Sequence, residues 1–555
     1  MEPNQSKNTP ASTRANETLE RLKTLGEPQK YLEEVRVRSL MQRYDTRWEG
    51  DRASHIIMRD ELLAHGLPII SKALSAPLPT KVGTEFAGWT FRMYLDYVTG
   101  EHHAALVLGD FEKEAQDNLV DFPVRIHSSA KASDIFFGTN SNSYQRFENA
   151  MEEIIRAGRG ALLYLEQDGR GFGAPAMLRA LNERYHFATD GSIETVTING
   201  KPLSIGGAYE RIGMQRDKRD YLVAAHILRD LGVNSVSLMT NSASKVAALT
   251  SEGIAVTLWG DDYKFEPMLG PDRTRLSKSS PEYWSRFEQL RELCAEREIE
   301  AGKPWESVAD NRARLSLLGK PLTKSFGSAP IPTAEGDWTY HAFGDYSSGE
   351  IHRMLVYGDT SSGALGDGQD VLVRVHSSCK TNEIFHSTDC ECQEELRTAM
   401  QEIRQEGRGV IVYLDQEGRG TGVVGRMAQL SHMFYFSADG SVATKIDEHT
   451  GRPIQTVAAS LKANFPAEVR DFTVATEMLR SVGVESVRMM TNNPLKIRML
   501  EEGGIPVKPQ KIVVDIHKLA DPGLLKEELR NKAKFLGHRI EESDLNNPDD
   551  NNLSL

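Results

Sequence analysis

Cys379, Cys390 and Cys392 fall within one stretch, VRVHSSCKTNEIFHSTDCECQEEL, of a chain that has four cysteines in 555 residues. Three thiolates can hold one Zn²⁺ and leave its fourth tetrahedral position open to water, which separates a catalytic zinc from a structural one. The spacing, Cys-x10-Cys-x-Cys, is unlike the paired C-x-x-C of zinc fingers. The competing reading is three reduced, buried thiols. Against it, Cys390 and Cys392 flank one acidic residue in a polar run, where core cysteines are uncommon.

Two further stretches suit phosphate. TNNPLK sets the Thr491 hydroxyl, a helix start and Lys496 together, where free N–H groups and the helix dipole attract an anion. QEGRG offers a glycine-flanked loop with Arg419, whose planar fork can bind two phosphate oxygens. Alone, N-P-x-K is often only a helix start and G-R-G only a turn; beside a metal site each gains weight.

Local patterns say what must position these groups. DVLVRVHSS predicts a strand, with Val371, Val373 and Val375 on one face and Arg374 and His376 on the other. QEELRTAMQEIRQEG predicts a helix with Leu396, Met400 and Ile403 on its apolar face, ended by Gly407. Cys392 then lies just before a helix N-terminus, where the dipole favours thiolate. VIVYL predicts a buried strand, RDFTVATEMLRSVG a helix stopped by Gly483, and VESVRMM the next strand. Asn493 is the expected N-cap of the following helix and Pro494 its first residue. Alternating strands and helices indicate an α/β fold.

The chain contains this pattern twice. FPVRIHSSAKASDIFFGTNSNSYQRF, from Phe122, matches the cysteine stretch, and AGRGALLYLEQDGRGFG matches EGRGVIVYLDQEGRGTG. The offset is 249 for His127 and His376, Arg170 and Arg419, and Trp89 and Trp338. It becomes 251 downstream, for Arg219 and Arg470 or Thr240 and Thr491. A register held over this length means a duplicated domain rather than a short solenoid repeat. The first copy carries Ala130, Ser141 and Ser143 where the second has cysteines, so it cannot hold zinc this way. It keeps Arg125, His127, Arg170, Asp217, Arg219, Thr240 and Lys245. That fits either a remaining nucleotide-binding role or simple inheritance.

The expected organisation is a polar N-terminal tail leading into helix (1–78), a degenerate repeat (79–262), a helical linker (263–328), a zinc-bearing repeat (329–520), and a C-terminal helix with a disordered tail, EESDLNNPDDNNLSL (521–555). Leu290, Leu293 and Cys294 share a face of the linker helix, which makes Cys294 a packing residue. The length prior is three or four domains. A net charge of −13 argues against a general nucleic-acid or anionic-membrane binder. Sparse cysteine, a polar N-terminus and no run near 20 apolar residues predict a cytoplasmic protein.

The motifs now assembled resemble GTP cyclohydrolase II of the riboflavin pathway. V-R-V-H-S-x-C, C-x-C, E-G-R-x-x-G, R-D-F and T-N-N-P-x-K occur in that family's order between about 370 and 505, and NKAKFLGH resembles its ending. The resemblance implies one zinc on Cys379, Cys390 and Cys392, and release of formate and pyrophosphate from GTP to leave a diaminopyrimidinone ribosyl phosphate. It implies substrate contacts from Arg374, Val375, His376, Ser377, Ser378, Glu395, Glu417, Gly418, Arg419, Thr491 and Lys496, with Mg²⁺ on the substrate phosphates. The family's arginine proposed to attack the α-phosphate falls at Arg470, and its proton acceptor at Glu468. Without the resemblance, Glu468 and Arg470 read as solvated helix residues that do not face each other well.

The departures are specific. The family usually has glutamate at Ser378, glutamine at Glu395, tyrosine at Leu430 and aspartate at Glu468. Both copies also carry an insertion between the loop and the carboxylate, an interval of 44 positions (173 to 217) and 46 positions (422 to 468) that is longer than the resemblance implies. Metal chemistry kept while base recognition shifted is the implied reading. The tandem arrangement resembles a branch of the family implicated in uracil catabolism, so ring opening of uracil or a uridine nucleotide competes with GTP. A third reading is a non-catalytic nucleotide sensor whose structural zinc is closed by His376 or His386. Because the riboflavin enzymes are homodimers, the two copies could form an internal pseudodimer, and the whole chain could still dimerise.

Overall fold

The computed structural model describes residues 11–49, 52–109, 121–260, 264–265, 281–302, 304–360, 364–514 and 522–545. Each copy builds one mixed sheet. The first runs, edge to edge, Leu74–Val82, Glu85–Leu95, His102–Leu108, Gly160–Leu165, Phe122–Ser128, Ser235–Leu238, Ala255–Leu258 and Lys264–Phe265. The second runs Thr323–Thr333, Gly336–Asp345, Ile351–Tyr357, Gly409–Leu414, Val371–Ser377, Val487–Met490 and Val507–Gln510. Both sheets therefore begin before the boundaries expected at 79 and 329. In the second sheet the first four strands pair antiparallel and the remainder parallel.

The central strands are buried on both faces, as their valine-rich runs require. Val371, Val373 and Val375 enter one core with Met478 and Leu479, from the helix Thr473–Arg480. Leu372 enters another core on the opposite face. That second core is shared between the copies: Trp89, Phe91 and Tyr164 meet Trp338, Tyr340 and Tyr413 there.

The contacts between the copies are reciprocal. Phe136 lies 5.9 Å from Tyr340 and 5.1 Å from Tyr413, and Phe385 lies 5.4 Å from both Phe91 and Tyr164. Each pair maps onto another by the 249-residue offset. The bridges Thr80–Ser387 and Gly138–Thr333 are equivalent too, with Gly138 and Ser387 offset by 249 and Thr80 and Thr333, in the matching SAPLPT and SAPIPT runs, by 253. Lys131 and Lys380, themselves equivalent, meet Glu166 and Asp415 at 3.3–3.9 Å. The copies thus face each other about a local twofold axis.

The insertions lie at this interface. In the first copy, the hairpin Tyr185–Phe187/Ile193–Thr195 sends the Ile193 N–H to Asp337 of the second at 2.9 Å. In the second, Val442 of the hairpin Phe434–Phe436/Val442–Thr444 sits against Gly88 of the first. Sequence alone assigned the insertions to altered base recognition. The hairpins of both insertions contact the other copy, and Thr456 of the second also reaches Arg419 of its own copy.

The segment expected as a polar tail leading into helix is helical from Ala11 on, as Ala11–Lys23, Glu27–Glu49 and Arg52–Ala64, while 1–10 lie outside the described residues. Thr18 donates to Asp310 on the linker helix Pro304–Leu317 at 2.8 Å. Trp48 donates to the Gly349 carbonyl at 3.1 Å, and its ring lies where a Cβ on Gly344 would come within 2.6 Å. Gly344→Ala should therefore lower stability by about 1–3 kcal/mol, the usual result of overpacking. Denaturant unfolding reads this directly, and an unchanged midpoint would mean that Trp48 docks loosely. In the C-terminal segment, Glu542–Leu545 forms a turn whose Leu545 is buried with Leu525, contrary to the expected disorder; 546–555 lie outside the described residues. Among the described residues no helix is long and apolar enough to cross a membrane.

Candidate active site

The strand Val371–Ser377 delivers Cys379, and the helix Cys392–Glu406 begins on Cys392 itself, one residue earlier than the sequence pattern suggested. Its apolar stripe and left-handed Gly407 cap are those expected. The three Sγ atoms lie within 4.8 Å of one another, with Cys379 and Cys390 3.5 Å apart. That is far beyond a disulfide bond and close to the ~3.8 Å edge of a tetrahedron with Zn–S bonds of ~2.3 Å. The thiols compete for one negative charge. Hydrogen bonds from Cys390 and Cys392 drive Cys379 well below the usual thiol range, while those two are driven above it. A dication relieves that competition, so the donor set fits zinc.

Neither candidate fourth ligand joins the cluster. His376 Nε2 lies 2.7 Å from Glu383, and His386 Nε2 lies 3.3 Å from the Tyr144 hydroxyl. Among the described residues, three cysteines and no other His, Cys, Asp or Glu make up the group.

Next to the thiols sits a buried cationic cluster balanced by carboxylates. Arg374 donates to the Met490 carbonyl at 3.0 Å and to Glu395 at 2.5 Å. Burial pushes the Glu395 carboxyl up, but Arg374 and Lys532 outweigh it and hold the group at about 2. Lys496 donates to the Val375 carbonyl at 2.7 Å and lies over the Phe472 ring. Burial, then Arg374 and Arg470, push this lysine well below its usual range. Asn493 caps its helix by accepting from the Leu495 N–H at 2.9 Å, with Pro494 at the first turn, and Thr491 accepts from the Asn493 N–H at 3.1 Å.

Glu468 and Arg470 do not lie on a helix. They occupy an extended segment before Thr473–Arg480, where alternate residues share a side. There Arg470 Nε donates to Glu468 Oε1 at 2.7 Å, and a second, shorter contact completes a bidentate pair. Burial pushes the Glu468 carboxyl up, but Arg470 and Arg419 pull it below its usual range. Arg470 lies within electrostatic reach of Cys392 and Glu395.

The 416–422 loop is strained. Arg419 adopts φ +59 within the turn Gly418–Gly420, and Arg170 adopts φ +57 at the matching place in the first copy. A non-glycine residue in this region costs about 1–3 kcal/mol and persists where surroundings over-determine it. Arg419 donates to Thr456 and to Glu528, each at 2.9 Å. Glu417 accepts from the Lys380 N–H at 2.8 Å, and burial followed by the Cys379 charge pushes its carboxyl up to about 7. Ser378 instead holds the backbone, accepting from the Gln416 N–H at 3.0 Å and donating to Asp415 at 3.2 Å.

Sequence reasoning missed several neighbours. The helix Pro522–Leu536 brings Glu528 to Arg419 and Lys532 to Glu391 at 2.6 Å. Lys532 belongs to NKAKFLGH, the signal that could have found it. Arg426 is buried between Thr381 at 2.7 Å and Asp389 at 2.8 Å. A cavity of about 500 Å³ between the copies is lined by Thr381, Glu417 and Arg426, but not by the cysteines, Arg419 or Arg470.

A family model described as GTP cyclohydrolase II matches residues 71–259 and again 324–511. GTP cyclohydrolase-2 of Pseudomonas fluorescens is 38% identical over 192 residues, covering 34% of this chain and 80% of that protein. GTP cyclohydrolase-2 of Pseudomonas putida is 37% identical over 190 residues, with 34% and 80% covered. A riboflavin biosynthesis protein of Vibrio vulnificus is 36% identical over 205 residues, with 36% and 49% covered.

Proposed function

Since the chain belongs to the GTP cyclohydrolase II family, and is thereby a hydrolase, we propose that its second copy is a zinc-dependent enzyme that opens the imidazole ring of GTP. The products are formate, pyrophosphate and a diaminopyrimidinone ribosyl phosphate. One observation carries this reading: a metal-fit cysteine triad stands beside a buried Arg/Lys cluster and an ionised carboxylate, in one copy of a duplicated fold.

Cys379, Cys390 and Cys392 would hold the zinc, which when bound supplies a Lewis acid that makes water nucleophilic near neutral pH. Arg374, Arg419 and Lys496 take the phosphates, and a Mg²⁺ carried in with the substrate would neutralise further phosphate charge. Burial and the neighbouring arginines hold the Lys496 pKa down, and an arriving anion would raise it and favour the charged form. Arg470 is held by Glu468 for the α-phosphate. Glu468 is ionised and able to accept a proton during ring opening. The Arg374 to Ser378 strand end, Glu395, the Glu417 to Arg419 turn and Thr491 form the walls. Arg470→Ala should lower kcat by about 10²–10³-fold, the scale for losing one preorganised charge contact, with zinc content unchanged. Pyrophosphate release reads this, and an undiminished kcat would remove Arg470 from the chemistry.

Two substitutions favour a second reading. Glu395 is tied to Arg374, and Leu430 is fully buried rather than presenting a ring hydroxyl. Both stand where the family resemblance implies base-contacting glutamine and tyrosine, so a pyrimidine is the alternative substrate. The deciding experiment is formate release from GTP by the zinc-loaded full chain. Formate equal to pyrophosphate is expected. No formate from folded, zinc-replete protein would sink the GTP assignment, and uracil, uridine and UMP would follow, monitored by loss of ring absorbance.

A further inference from the structure

The first copy has lost its metal ligands but kept the cationic cradle. Arg125 donates to the Met239 carbonyl at 2.6 Å, as Arg374 does to Met490. Lys245 donates to the Ile126 carbonyl at 2.6 Å and lies 5.3 Å over the Tyr221 ring, as Lys496 does with Val375 and Phe472. Arg170 and Arg219 both reach Asp217, reproducing Arg419, Arg470 and Glu468.

What changed is the balance of charge. In the second copy Glu395 neutralises Arg374 and Glu391 neutralises Lys532. Their counterparts at the 249 offset are Arg146 and Asn142. The first copy therefore gathers Arg125, Arg146, Arg170, Arg219 and Lys245 around Asp217, the one carboxylate among the described residues that pairs with any of them. Burial and then Arg146 push Arg125 down to about 10, and burial and then Arg125, Arg219 and Arg146 push Lys245 to about 7. Arg125 Nε is buried without a partner. Burying Lys245 and the Arg125 head beside further cations is costly unless an anion joins them. Simple inheritance of a dead site does not account for a fifth cation, Arg146, at the position where the family usually has a neutral glutamine and the second copy has a neutralising glutamate, in a chain whose net charge is −13.

We propose that the first copy is a non-hydrolysing binding site for a di- or triphosphate chain, carried by a nucleotide or present as free pyrophosphate. Arg125, Arg146, Arg170, Arg219 and Lys245 supply charge-assisted hydrogen bonds to its oxygens. With Ala130, Ser141 and Ser143 in place of the cysteines, the bound molecule is held and not opened. The site stands on its own charges, so it survives even if the second copy acts on a base other than guanine.

The test is calorimetric titration of the full chain with inorganic pyrophosphate, then with GTP in a Cys390→Ser background that prevents turnover. Two equivalents of pyrophosphate per chain are expected. Arg146→Glu, which restores the ion pair of the other copy at an exposed helix position, should weaken one equivalent about tenfold to a hundredfold. Lys245→Met should do the same, and Lys496→Met should remove the other equivalent. Circular dichroism checks folding. Competition of GTP for the Arg146-dependent site identifies a nucleotide ligand, and pyrophosphate binding there without competition identifies the free anion. A single equivalent that is lost in Lys496→Met and indifferent to both first-copy variants would overturn the proposal, as would no binding at all.

Discussion

Cys390→Ser is expected to reduce bound zinc from one per chain to a trace and to cut formate release by at least about four orders of magnitude. The size follows from water, whose pKa returns from near 7 on zinc to about 15.7 in bulk. A serine hydroxyl stays protonated and is no substitute for a thiolate donor. The first copy already shows this exchange, with Ser141 at the matching place. The fold should survive. Asn382 binds the Cys390 backbone carbonyl at 3.0 Å, and the Gln393 N–H donates to Asn382 at 2.7 Å; neither contact uses the thiol. Leu396, Ala399, Met400 and Ile403 keep the following helix in the shared core. Metal analysis, a formate assay and far-UV circular dichroism on one preparation separate the outcomes. Wild-type formate release from a zinc-free variant would remove the cysteines from the reaction altogether.

The parts of this site that were legible in sequence depend on near neighbours. Gly407 ends its helix because the left-handed cap needs no Cβ, and Asn493-Pro494 starts one because the cap and the fixed φ are local properties. The duplication was legible because a fixed offset needs only comparison. Given that offset, the twofold pairing of Phe136 with Tyr340 and of Phe385 with Phe91 follows once the copies pack face to face. Glu468 and Arg470 were misplaced for a definite reason. The run after Arg470 is helical in pattern, but Asp471 accepts from the Thr473 N–H at 2.8 Å and starts the helix there, leaving the preceding residues extended. Glu528, Lys532 and Thr456 could not be found by spacing, because they reach Arg419 and Glu391 across 37 to 141 residues. The contacts that the insertion hairpins make with the other copy were hidden because no single repeat displays them.

The same distance hides the second large effect, that of Arg312. It sits on the linker helix Pro304–Leu317, 5% exposed, and clamps two buried carboxylates of the second copy. Nη1 lies 2.5 Å from Asp471, and Nη2 lies 3.2 Å from Asp345 and 2.8 Å from Ser347. Asp471 directly follows Arg470, so the linker holds the segment that carries the proposed acceptor and nucleophile. Arg312→Ala should cost about 3–5 kcal/mol, the penalty for leaving buried charge uncompensated when one partner is removed. Arg312→Lys, which keeps the charge but loses the fork, should cost less. The pH dependence gives the sign. Burial alone pushes Asp345 up, but Arg312 and then His352 hold it well below the carboxylate range. In the wild type its contribution is therefore complete above about pH 4, the unfolded value, and is lost only below it. Without Arg312 the largest contribution opposing burial is gone, and the folded pKa rises toward or past the unfolded one. The destabilisation is then greatest at neutral pH and shrinks as pH falls and the carboxyl takes up a proton. Denaturant midpoints of wild type and Arg312→Ala at pH 7 and pH 5 measure the gap. A gap that widens toward acid would overturn this account, and an Arg312→Lys variant that recovers none of the gap would mean that the charge of Arg312 is not what stabilises.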